Sequence, residues 1–265
     1  MPKINTSPLK RIILSRKGFD SSAGGKPSVV YNDKLYSFPI PEAESGVNYR
    51  DLQFLPGISY MDLFHDLGIK MFTEAHLDPD IRPDIFLNKS RPKDWRGVFG
   101  QDDAAQSHLS KEGVAVGDIF LFFGWFKHLS GDKNKGFYYK RDELRPDGFH
   151  AIWGFLEVGA IYQVEPEFNN IPEWAGQHAH ARDKQRERKF YPGKNTLYIA
   201  PEKSSSGLNK TFGTFSFNND LILSGDEKRS VWNLPDAFNG CKMSYHQKKI
   251  TKTDGFQSAN RGRNL

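Results

Sequence analysis

Cysteine is almost missing from this chain. Cys241 stands alone among 265 residues, which rules out an internal disulfide and a thiolate zinc cluster. Long apolar runs are lacking too: none approaches the roughly 20 residues that a bilayer-spanning helix needs. Met1-Pro2-Lys3-Ile4-Asn5 carries no apolar core of the signal-peptide kind. Hydrophobic residues make up only 37% and mean hydropathy is -0.63. A cytoplasmic protein without a membrane span is the expectation. What is present instead is aromatic. With 21 Phe, 10 Tyr and 5 Trp, each burying a large area, the chain can still build an adequate core.

A strong charge excess is also absent. The net charge of +5 and pI near 9.1 give a mild bias towards polyanions. The cations are unevenly spread, with one run at Arg182-Asp183-Lys184-Gln185-Arg186-Glu187-Arg188-Lys189 and another group, from Lys248 to Arg263, in the tail. Such runs serve either as solvated surface or as phosphate attractors. The tail, residues 246–265, is expected to be basic and flexible, following a single domain over residues 1–245.

Three segments near the amino terminus read as strands: Ile12–Leu14, Ser28–Tyr31 and Leu35–Phe38, the last two joined by an Asn32-Asp33 turn. Ser59 and Asp62 form a capping pair before a short helix that Gly68 closes. A second helix is expected from Asp102 or Asp103 to Glu112, ended by Gly113. Residues 76–100 look loop-like, with Asp78-Pro79-Asp80 and Arg91-Pro92-Lys93 as turn formers. Ile119–Phe126 reads as a strand buried on both faces, followed by a polar hairpin to Gly148. His150–Val164 is too long for an ordinary strand, so Gly154 and Gly159 should mark bulges or a bend. Asn195–Ala200 and Leu221–Leu223 read as later strands, with a short helix near Pro235–Phe238. The predicted fold is α+β, with a β-rich core, a small half-closed barrel and a few short helices.

Several groups invite chemistry. The loop Ser15-Arg16-Lys17-Gly18-Phe19-Asp20-Ser21-Ser22-Ala23-Gly24-Gly25-Lys26-Pro27 gathers glycines, hydroxyls and cations behind a strand. Its N–H groups suit an anion nest, with Arg16 and Lys17 facing a phosphate and Asp20 as proton acceptor; Gly-Gly-Lys-Pro also suits a plain turn. Gln106, Ser107 and His108 lie on the second helix, where adjacent Ser107 and His108 point about 100° apart and cannot pair with each other. His178-Ala179-His180 has a metal-ligand spacing if it lies on a strand, but Glu173 and Asp183 are only guesses for a third ligand, and no metal is assigned. The pair could instead join Arg182 as hydrogen-bond donors to a phosphate or carbonyl, or be an ordinary loop pair. His150 and Trp153, with Trp125, either line a base-binding slot or belong to the core. Asp78 with Asp80, and Asp102 with Asp103, are explained by turns and caps.

The run Ser15–Ser22 with Gly24-Gly25, Pro27-Ser28 and Pro39-Ile40-Pro41 resembles the third family of nucleotide-modification-associated domains of bacteria and phages. So do His76-Leu77-Asp78-Pro79-Asp80, Gly100 with Gln106-Ser107-His108-Leu109, and Gly117-Asp118 before Leu121-Phe122-Phe123-Gly124. The likeness spans residues 11 to about 245. It implies a role in making, recognising or processing modified nucleotides or DNA, and supplies no catalytic residue. The expectation is therefore a nucleotide- or DNA-base-modification protein with nucleotide or nucleic acid as partner. Asp20 and His108 would be catalytic; Ser15, Arg16, Lys17, Ser21, Ser22, Gln106, Ser107, His150, His178, His180 and Arg182 would bind. A non-catalytic nucleotide or modified-DNA binding module is the alternative.

Overall fold

The computed structural model describes residues 10–69, 72–182, 194–226, 228–234 and the backbone of 256–257. The central element is the strand Ile119–Asp132. Phe120, Phe122 and Phe126 are buried on one face and Phe123 on the other, while Trp125 is half-buried. One edge takes Phe149–Glu157, antiparallel, then the hairpin strand Gly136–Tyr139. The other takes two parallel strands in succession, Ile12–Arg16 against Ile119–Phe123 and Ser28–Tyr31 against Phe126 onwards. The glycine-rich loop is thus an excursion that leaves this edge at Phe123 and rejoins it at Phe126.

Lys34–Tyr36 continues the sheet beyond Ser28–Tyr31, and Phe212–Thr214 continues it beyond Phe149–Glu157. A bridge between Lys34 and Ser216, with Phe217 N–H donating to Asp33 O at 2.8 Å, draws the two ends together into a near-closed barrel. The expected α+β, β-rich barrel is the observed architecture. Phe99, Phe120, Phe122 and Trp153 fill one core, and Phe19, Phe38, Tyr49 and Phe64 fill a second against the helix Tyr60–Asp66.

The glycine reading of the long strand holds. The register slips between Ile152 and Gly154, and the chain breaks at Val158-Gly159 before re-entering as Ala160–Gln163 in a separate sheet. At Gly159 a Cβ would lie 2.4 Å from Pro201 N, so the crossing point has room only for hydrogen. The separate sheet has the order Ala160–Gln163, Asn195–Ile199, Val98–Asp102, all antiparallel. Ser59 and Asp62 do form a capping box, and the second helix runs Asp103–Lys111 with Gly113 at positive φ behind it.

Some expectations are corrected. The buried strand does not end at Phe126 but continues to Asp132, because its hairpin partner Gly136–Tyr139 pairs as far as that residue. Residues 76–100 are not simply loop: Ala75–His76 pairs with Ile40–Pro41, and Val98–Asp102 is a full strand. Leu221–Leu223 is no strand; Asn219–Leu221 is a 3-10 turn capped by the Asn218 side chain, leaving one bridge from Ile222 to Ala151. The helix expected near Pro235–Phe238 lies outside the described residues. In the tail, Phe256-Gln257 pairs with Val231-Trp232, and its other residues lie outside the described ones. Among the described residues no helix is long and apolar enough to cross a membrane.

Candidate functional site

Arg16 ends the first strand and Lys17 follows it, so these neighbours leave the sheet on opposite sides. Lys17 crosses to the separate sheet. Its Nζ lies 2.7 Å from Asp78 Oδ2 and 3.2 Å from Gln101 Oε1, over the ring of Phe99 at 4.4 Å. Asp78 is brought there by a two-way backbone bridge between Asp80 and Val98 (2.8 and 2.9 Å), which also turns the Gly100 N–H onto Asp78 Oδ1 at 2.7 Å.

Around this carboxylate stand three imidazoles. His178 Nε2 lies 3.5 Å from Asp78 Oδ1 and His180 Nε2 lies 3.9 Å from Oδ2. His76 packs edge-on to His180 with ring centres 5.1 Å apart. Among the described residues, His76, Asp78 and His180 are the group that could hold a metal ion, with one donor atom from each all within 4.8 Å.

The hydrogen-bond network assigns each tautomer. Asn195 Nδ2 donates to His180 O at 2.9 Å, which only the amide NH2 can do. Its Oδ1 therefore faces His180 Nδ1 at 3.1 Å and accepts a proton from it. His76 Nδ1 likewise donates to Glu42 Oε2 at 2.8 Å. Both rings keep an Nε2 lone pair. His178 is reversed: its Nδ1 accepts from the His180 backbone N–H at 3.3 Å, so its Nε2 carries the proton, and that buried atom makes no hydrogen bond among the described residues.

Electrostatics reinforce these assignments. Burial opposes the Asp78 charge, but Lys17 foremost, then the histidines, hold its carboxyl below the ordinary range. Burial pushes His178 well below its usual value against the pull of Asp78, and pushes His180 down to about 4. Asp78 is therefore ionised at neutral pH beside the neutral imidazoles of His178 and His180. A cavity of about 20 Å³ adjoins Asp78, bounded by Ser37, Asp80, Ile81 and Trp153, large enough for one water.

Gly100 is required by contact. A Cβ there would lie 2.2 Å from His180 Cδ2. Gly100→Ala is expected to displace the His180 ring and cost about 1–3 kcal/mol, as overpacking does. A denaturation midpoint equal to wild type, with His180 NMR shifts unchanged, would contradict this packing.

The other expected site residues go elsewhere. Asp20 turns back on its own loop: Oδ1 accepts from Ser22 N, Ser22 Oγ and Ala23 N at 2.6–2.7 Å, and Oδ2 lies 3.4 Å from Arg16. Asp20 N also donates to Ala23 O, and Gly25 N to Asp20 O. The N–H groups expected to form an anion nest are therefore largely spent on Asp20. Ser15 is buried in its strand, while Ser21 and Ser22 are exposed. Gln106 accepts from Tyr198 Oη at 3.0 Å, Ser107 bonds the Asp103 carbonyl, and His108 Nε2 lies 4.0 Å from Glu112. These contacts do not bring Asp20, Gln106 and His108 to one cleft; the carboxylate that meets histidines is Asp78.

His150 and Trp153 do not line one slot. His150 packs on Phe123 and Trp232, Trp153 on Phe122, on opposite faces of their strand. Trp125 donates to Asp147 O beneath Arg229. His178 and His180 share a face as expected, with rings stacked 5.9 Å apart, but on a turn after the 3-10 helix Glu173–Gln177 rather than on a strand. Arg182 donates to Gln177 O, near Glu42 and Glu74. The basic residues 183–189 lie outside the described residues.

Sequence reasoning missed Asp78, His76, Gln101 and Asn195. Asp78 and Asp80 had looked like turn formers; Asp80 is instead buried against Arg91. The available signal was His76-Leu77-Asp78, an alternate pair like His178 and His180.

No curated protein and no solved structure matches the chain. One family model does, that of nucleotide modification associated domain 3, over residues 11–265. The match continues past residue 245, where the likeness was expected to stop. It includes the segments that carry Lys17, Asp78, Gly100 and the histidine pair. The chain belongs to the nucleotide modification associated domain 3 family.

Proposed function

We propose that this chain binds a nucleotide or a DNA base and takes part in its modification, with the reacting group held against Lys17, Asp78, His178 and His180. One observation carries the reading: a half-buried ammonium meets a buried carboxylate and two buried, neutral imidazoles, all from three distant segments. Buried charges are costly, and apolar residues of like volume stabilise a fold as well or better. Perturbed groups gathered in one place are what acid–base work needs. Membership of a nucleotide modification associated family supports nucleotides as the substrate class.

The roles follow from the tautomers. His178 Nε2–H, 3.5 Å from Asp78 Oδ1 and without a hydrogen bond among the described residues, is a donor suited to a carbonyl or ring nitrogen of a base. The Nε2 lone pair of His180 accepts a proton or another electron-pair acceptor. Lys17 steadies negative charge as it develops. Exposed Lys26 and half-buried Arg182 are suited to phosphate. A non-catalytic reader of modified bases would use the same donors without changing the substrate.

The test is to incubate the full chain with nucleotides and single- and double-stranded oligonucleotides and to follow ligand and product masses. Turnover by wild type is expected, with a loss of about 10²–10⁴-fold in His178→Ala. Retained ligand of unchanged mass would favour the reader. Neither binding nor turnover, or folded Lys17→Ala and His178→Ala variants that match wild type, would overturn the proposal.

A further inference from the structure

His76 and His180 each bring a ring nitrogen within 4.8 Å of the other's and of an Asp78 oxygen, and each ring is held from behind. Glu42 fixes His76 through Nδ1, and Asn195 fixes His180 through Nδ1. An oxygen acceptor on the outer nitrogen of each imidazole, with the inner nitrogen bare, is the arrangement that orients histidines towards a metal. We infer that His76, Asp78 and His180 bind one divalent first-row transition-metal ion through two imidazole nitrogens and one carboxylate oxygen.

The donor set narrows the ion. Two nitrogens and one oxygen, with no thiolate, suit Fe2+, Co2+ or Zn2+ better than Ca2+ or Mg2+, and three protein ligands leave positions open for water or substrate. Asp78 Oδ2 is the ligand oxygen, since Oδ1 already accepts from Gly100 N–H. His180 Nε2 lies 3.9 Å from Oδ2. Ligands bonded at about 2.1 Å sit roughly 3.0–3.4 Å apart, so loading closes the His180–Asp78 pair by under about 1 Å and the set, whose donor atoms lie within 4.8 Å of one another, by under about 2 Å. His178 is excluded despite its position, because the His180 backbone N–H occupies its Nδ1 and leaves a proton on Nε2. It remains a hydrogen-bond donor beside the ion.

Lys17 is the competitor. Its ammonium is 2.7 Å from the same Oδ2 and supplies the positive charge there without a metal. Loading requires that ammonium to swing aside, so the two cations exclude each other at Asp78. The ion would share residues with the nucleotide site proposed above, but the inference does not depend on that reading. Metal content is measured without nucleotide.

The experiment uses the full chain, stripped with chelator and titrated with Co2+ and Zn2+ by calorimetry and, for Co2+, by its visible d–d absorption. One ion per chain is expected. His180→Ala and the half-buried His76→Ala should each weaken binding at least 100-fold, and Glu42→Gln about 10–100-fold. His178→Gln should stay within about threefold of wild type, and Lys17→Met should bind at least tenfold more tightly. Circular dichroism would confirm folding of each variant. The inference is overturned if folded wild type and Lys17→Met both bind no ion. It is equally overturned if binding survives loss of both His76 and His180, or if His178→Gln loses it as they do. A stripped chain that turns over nucleotide but takes up no ion would reject the metal and leave the nucleotide reading standing; ion binding with no nucleotide affinity would do the reverse.

Discussion

Asp78→Ala is expected to cost the fold about 3–5 kcal/mol, the range for removing one partner of a buried ion pair. The carboxylate is almost wholly inaccessible, and its loss strands the Lys17 ammonium and the Gly100 N–H without their acceptors. Among the described residues Lys17 otherwise meets the ring of Phe99, the Gln101 amide oxygen and, at 3.5 Å, the Gly100 carbonyl. Neither is charged. The double variant Lys17→Met/Asp78→Ala should regain much of the loss, since it buries no uncompensated charge, and the coupling should exceed about 2 kcal/mol. Urea midpoints of the four proteins of this cycle supply the numbers. A single-variant cost below about 1 kcal/mol would show that water reaches Asp78 and that the pair is not buried in solution.

The second large effect is acid destabilisation through His150. Burial first, then Arg16 and Arg229, push its pKa from 6.5 down to about 3, and its Nδ1 accepts from Trp232 Nε1 at 3.0 Å. The native state therefore holds this imidazole neutral, while the unfolded chain takes up a proton below 6.5. With the folded value depressed, the stabilisation is complete above pH 6.5 and is lost progressively as pH falls towards about 3. At about 1.4 kcal/mol per unit the loss is on the order of 4 kcal/mol. His150→Gln preserves an acceptor for Trp232 but cannot titrate. Its stability should fall with pH by about one proton less than wild type between pH 6.5 and 4. Parallel stability–pH curves for the two proteins would refute the assignment.

Features governed by neighbours in sequence were legible from the chain alone. The Ser59–Asp62 capping box, the positive φ at Gly113 and the breaks at Gly154 and Gly159 each depend on a few adjacent residues. The candidate centre depends on distant ones. Lys17, Asp78 and His180 meet only because the barrel edge and the separate sheet stand side by side, and no local pattern encodes that meeting. Asp78-Pro79-Asp80 reads as a turn because its immediate chemistry is that of a turn; the bridge from Asp80 to Val98 is what buries it. Asp20 misled for the opposite reason. A carboxylate among glycines and hydroxyls looks available, yet those same neighbours consume it.

The two parallel strands on one edge of Ile119–Asp132 bear on how the protein is made. Ile12 pairs with Ile119 and Ser28 with Phe126, so each partner is translated about a hundred residues later. At about 5–20 residues per second, the amino-terminal segment leaves the ribosome roughly 5–20 s before the strand it needs. The hairpin pairings of Ile119–Asp132 with Gly136–Tyr139 and Phe149–Glu157 are local and close sooner once translated. Docking of Ile12–Arg16 onto that hairpin is therefore expected to follow the hairpin's closure, and it is the step that carries Lys17 to Asp78.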